Sequence, residues 1–74
     1  MSALAPAFGK EKDLQTALRM AFCLANLAYD NDEVFELVKV LECTRPKGLV
    51  AADNEQGVQA NRDTIDEICD WLGL

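Results

Sequence analysis

Residues 17–29 read ALRMAFCLANLAY, a run in which Arg19 and Asn26 are the only polar side chains. Placed on a helix at about 100° per residue, the segment gathers Gln15, Arg19, Asn26 and Asp30 in a narrow polar sector. The apolar arc that remains is wider than the stripe with which an ordinary surface helix meets its core. Ala17, Ala21, Ala25 and Ala28 line its middle. Larger groups flank that strip, with Leu14, Leu18, Phe22 and Tyr29 on one side and Met20, Leu24 and Leu27 on the other. Small residues between larger ridges let a second helix approach closely. One neighbour covers one ridge and part of the strip, so burying both takes two. Each large side chain left in water forgoes about 1.5–3 kcal/mol, and a whole domain is stable by only about 5–15 kcal/mol. The wide arc therefore demands partners, inside the chain or outside it.

The chain has 74 residues, enough for one domain that buries only about 60% of its unfolded surface. Residues 1–9 are expected to form a flexible N-terminal arm, with Pro6 and Gly9 as breakers. Residues 10–74 then form a single helical domain with helices over about 11–29, 32–43 and 60–72. Pro46 disfavours a helical Arg45 and closes the second helix, and Gly73 closes the third. The connection 45–59 carries no periodic pattern beyond the short strand-like GLVAA at 48–52. Asp30 and Glu33 resemble a capping box across a short turn, which predicts an antiparallel hairpin of the first two helices. The second helix is also broadly apolar, with Val34, Leu37, Val38 and Leu41 as its stripe and Phe35 and Val40 to either side. The expected fold is an all-α, small three-helix domain that is dimeric, because two over-wide apolar helices exceed what so short a chain can cover.

Charge is unevenly spread. Overall it is −6, which argues against a general binder of nucleic acid or anionic membrane. From Lys10 to Lys47 seven acids nearly balance six bases, but from Asp53 to Asp70 six acids face Arg62 alone. Ile65, Ile68, Cys69 and Leu72 make one face of the third helix, and Asp63, Asp66, Glu67 and Asp70 make the opposite one. Those carboxylates repel one another, and Asp70 sits at the unfavourable end of the helix dipole. A basic partner would relieve both costs. Trp71 lies at the border of the two faces, placed either to anchor an interface or to finish the core.

Several chemistries are poorly supported. Asp30 and Asp32 could begin a calcium loop, but Val34 and Phe35 stand where a ligand and a glycine are required. Cys23, Cys43 and Cys69 are widely spaced and no histidine is present, so neither a disulfide framework nor a metal site is expected. Without histidine the usual general base is missing, and there is no glycine-rich phosphate loop. No enzyme activity and no cofactor are expected. Residues 64–74, TIDEICDWLGL, resemble the first helix and turn of a helix-turn-helix. The resemblance covers 11 residues, and the surrounding acids would repel phosphate, so direct DNA reading is not expected. The apolar run is shorter than the roughly 20 residues of a membrane span, and no basic residue precedes the apolar N-terminus as in a signal peptide. A cytoplasmic setting follows as the expectation.

The sequence thus predicts a small acidic protein-binding module, a regulator, adaptor or inhibitor, acting through an apolar helical surface as a homodimer. Met20, Leu24, Leu27, Phe35 and Trp71 are the candidate apolar contacts, and Asp63, Asp66, Glu67 and Asp70 the electrostatic ones. The alternative is an acidic mimic of nucleic acid that inhibits a basic nucleic-acid-binding protein. The partner is therefore a second copy or another protein, not nucleic acid or membrane.

Overall fold

The computed structural model describes residues 4–41 and 43–74. Asp13 opens the longest apolar stretch: its Oδ2 accepts hydrogen bonds from the Thr16 amide at 2.9 Å and the Thr16 hydroxyl at 2.7 Å. This is N-cap chemistry, satisfying a first-turn amide that has no partner inside the helix. The helix it starts is Leu14–Ala28, shorter than the expected 11–29 because Glu11 to Asp13 belong to the cap. Asp30 takes a left-handed backbone (φ 52°) and Asn31 follows as the next cap, its Oδ1 accepting from the Val34 amide. The cap is therefore Asn31, not the expected Asp30. That helix runs Asp32–Val40, and its Asp32 and Glu33 suit the positive end of the dipole. The expected extension to 43 fails at Leu41 and Cys43, which leave the helix, while Glu42 lies outside the described residues.

Four helices form among the described residues: α1 (Leu4–Lys10), α2 (Leu14–Ala28), α3 (Asp32–Val40) and α4 (Val58–Leu72). The first corrects the expected arm, of which Met1 to Ala3 lie outside the described residues. Pro6 falls in the first turn of α1, where the amide it lacks would have had no partner. Leu4, Ala5 and Phe8 share one face, and Ala5 and Phe8 are wholly buried. Gly9 does not break the helix. A side chain at this position would collide with the Thr44 hydroxyl and approach the Thr44 carbonyl to 3.1 Å, so glycine is what lets α1 sit against the connection.

α2 is the hub, packing most broadly on α4 and also touching α1 and α3. It buries Leu14, Ala17, Ala21, Leu24 and Ala28, and α4 contributes Ile65, Cys69 and Leu72. Phe8, Val38 and Cys43 complete the core. α4 begins after Gly57, two residues earlier than expected, and ends in the Leu-Gly-Leu sequence. There the Gly73 amide donates to the Asp70 carbonyl and the Leu74 amide to the Cys69 carbonyl, a Schellman stop made possible by the left-handed Gly73.

The connection between α3 and α4 is pinned rather than loose. Val50 forms an isolated parallel bridge beside Asp13, donating to the Lys12 carbonyl at 2.7 Å and accepting from the Leu14 amide at 3.0 Å. Arg62 donates to the Leu49 carbonyl and Lys12 Nζ to the Lys47 carbonyl. The strand-like GLVAA is thus used, but as a strap. The accessible surface is 4731 Å², close to the ~4,500 Å² that a monomer of this mass usually shows. The isolated chain already buries an ordinary share of its surface.

Candidate protein-binding surface

The inner side of α2 takes three alanines with Leu14 and Leu24, and other large apolar groups stay outside. Phe22 is 48% exposed, Leu27 47% and Tyr29 72%. On α3, Leu37 and Val40 are exposed as well. Between the exposed groups of α2 lie Arg19, Cys23 and Asn26, all facing solvent. Among the described residues the outer side of α2 is therefore unpartnered, with apolar shoulders and a polar midline.

The expected contact residues scatter. Leu27 is on this surface, and Met20 is half-buried at its edge. Leu24 is not available: it lies wholly in the core, because the buried sector of α2 centres on the alanine strip and extends to Leu24. Phe35 is half-buried and meets Trp71 edge to face, with ring centroids 5.4 Å apart and planes at 81°. Lys39 Nζ sits 5.2 Å from the centre of the Phe35 ring. The two aromatics thus make one intramolecular cluster between α3 and α4, in which Trp71 keeps an exposed side. Phe22, Tyr29, Leu37 and Val40 were not among the expected contacts. Phe22 and Tyr29 belong to the ridge set opposite Met20, Leu24 and Leu27, and only packing reveals which parts of each ridge are covered.

Asp63, Asp66, Glu67 and Asp70 all face solvent on α4. Arg45 supplies from within the chain the cation that this ridge calls for. Its guanidinium donates to Asp70 and to the Leu74 carbonyl at 3.0 Å, and lies 3.8 Å from Asp66. The hydrogen bond to Asp70 raises the Arg45 pKa further, so the cation is permanent. Gln59 donates to Asp63. Arg45 stands 25 residues before Asp70, and nothing in local sequence pairs them.

The buried thiols are chemically quiet. Burial pushes Cys69 up to about 11 and Cys43 upward as well, so both are protonated near neutrality. Cys23 is exposed on the outer side of α2. A shallow cleft of about 180 Å³ lies between the strap and α4, lined by Pro46, Leu49, Gln59, Arg62, Ile65 and Asp66. That is below the roughly 300 Å³ at which small-molecule sites begin, and its cation, Arg62, is spent holding the Leu49 carbonyl. Among the described residues no cluster of three or more Cys, Asp or Glu is placed to hold a metal ion, and no helix is long and apolar enough to cross a membrane.

No protein-family model, curated protein or solved structure matches this chain.

Proposed function

We propose that this chain is a protein-binding module, a small regulator, adaptor or inhibitor, acting as a homodimer through the outer face of α2 and the adjoining edge of α3. The observation that carries this reading is the exposure of Phe22, Leu27, Tyr29, Leu37 and Val40 on two consecutive helices. A surface leucine alone needs no explanation, whereas a run of large apolar groups along neighbouring helices marks an interaction site. α2 and α3 are consecutive helices in contact, and α4 and α1 also pack on α2. Its work is recognition rather than catalysis, in a cytoplasmic setting.

The acidic ridge of α4 supports a nucleic-acid-mimicking inhibitor less well. Arg45 already offsets Asp66 and Asp70, and among the described residues Asp63 and Glu67 are the carboxylates of that ridge without a cation. Apolar docking predicts partner binding with weak salt dependence, and the mimic predicts binding that falls steeply with salt and competes with DNA.

Light scattering coupled to size exclusion, over a hundredfold range of concentration, tests the dimer. The expected mass at high concentration is twice 8.2 kDa, reduced by Phe22→Asp or Leu27→Asp with helicity retained. A folded monomer throughout would overturn it.

A further inference from the structure

The outer face of α2 has a polarity that matches its own reverse. Arg19, Cys23, Asn26 and Asp30 are spaced i, i+4, i+7 and i+11, so they fall along one line up the helix and into its C-terminal turn. All four face solvent. Phe22 and Tyr29 flank this line on one side, and Met20 and Leu27 on the other. Arg19 is the only charged residue between Leu14 and Ala28, while Asp30, Asp32 and Glu33 crowd the far end.

We infer that a second copy of the chain docks on this face with the two α2 helices antiparallel, their two-fold axis level with residues 24 and 25. This rests on the homodimer reading above and specifies its geometry. In this register Arg19 of each copy meets Asp30 of the other, and Cys23 meets Asn26. Phe22 packs against Tyr29 along one shoulder, and Met20 against Leu27 along the other. The small Cys23 and Asn26 at the middle let the helices come close enough for both shoulders to touch. All of these contacts occur twice, as an isologous interface requires.

Charge singles out the second copy and its direction. Parallel helices would set Arg19 beside Arg19 and Asp30 beside Asp30, with the helix dipoles aligned; the antiparallel arrangement reverses all three. Two chains of charge −6 repel, but α4, which carries the acidic ridge, packs on the inner side of α2, away from this axis. A stable interface takes about 800 Å² from each partner, roughly one sixth of the 4731 Å² surface. One helix face supplies only part of that area, so the dimer is concentration-dependent.

The test uses the full chain in four forms, wild type, Arg19→Glu, Asp30→Lys and Asp30→Asn, with circular dichroism to show that each is folded. Sedimentation equilibrium should find the wild type self-associating and each charge reversal weaker by about tenfold, because two like-charge pairs replace two opposite ones. An equimolar mixture of Arg19→Glu with Asp30→Lys should recover wild-type affinity, since the heterodimer restores both opposite pairs. Asp30→Asn keeps a residue that tolerates the left-handed backbone and should weaken association by a smaller factor even if the lysine variant does not fold. A wild-type dimer indifferent to these changes, or a mixture without rescue, would overturn the register and leave the homodimer standing. A wild-type monomer at every concentration would overturn both.

Discussion

The two sides of α2 hold different sets of apolar groups. Inside are three alanines with Leu14 and Leu24; outside are Phe22, Leu27 and Tyr29. The inner side is built for closeness, because small side chains let the α4 backbone approach and bring Ile65, Cys69 and Leu72 into contact. Leu14 and Leu24 are wholly buried on this side, whereas Phe22, Leu27 and Tyr29, at other angles round the helix, stay outside. Neither hydrophobicity nor side-chain size alone tells core from interface, since Leu24 is wholly buried and Leu27 is exposed.

The sharpest way to break this comparison is to truncate one leucine on each side. Leu24→Ala should cost about 2–5 kcal/mol, since it removes a wholly buried side chain and leaves a cavity. Leu27→Ala, measured by urea titration at a dilution where the chain is monomeric, should cost about 1 kcal/mol or less. Equal losses would mean that the outer side is covered in the monomer. A smaller contrast comes from adding bulk. Ala21→Leu should destabilise by about 1–3 kcal/mol because the helix contact has no space for it, whereas Asn26→Leu should stay within about 0.5 kcal/mol in the monomer.

The least change is expected from the thiols. A thiol reagent should label Cys23 on the folded chain and reach Cys43 and Cys69 only when the fold opens. Burial pushes the Cys69 thiol up from 9.0 to about 11, and because folded and unfolded chains both hold that proton at neutral pH, the shift itself leaves stability unchanged there. As pH rises above 9.0 the unfolded thiol ionises first, and stability falls until the folded group ionises too. Urea midpoints should therefore drop on the alkaline side in the wild type, with a shallower fall in Cys69→Ala. A fall of the same steepness in both would show that Cys69 does not carry the effect.

Much of the fold is legible in local chemistry. The three longer helices follow from apolar spacing, and the i, i+3, i+4, i+7 face of α4 does turn inward, with Ile65, Cys69 and Leu72 buried and Ile68 partly buried beside them. The end of α4 is equally legible, since Gly73 can adopt the left-handed stop that other residues resist. The misread parts share one cause. α1 has only seven residues and contains both Pro6 and Gly9, so no local signal holds it together; docking of Ala5 and Phe8 does. The strap at Val50 is likewise created by its bridge to Lys12 and Leu14, more than thirty residues away.

The surface shows the same division. That α2 is too apolar for one neighbour and that α4 carries a carboxylate ridge both come from residue types and spacing. Tertiary structure decided that Leu24 is core while Leu27 is surface, that Phe35 and Trp71 face each other, and that Arg45 reaches Asp70. Periodicity defines which residues share a face because helix geometry is local. Which part of that face is covered depends on the bulk of side chains brought from distant segments, and only packing settles where they meet.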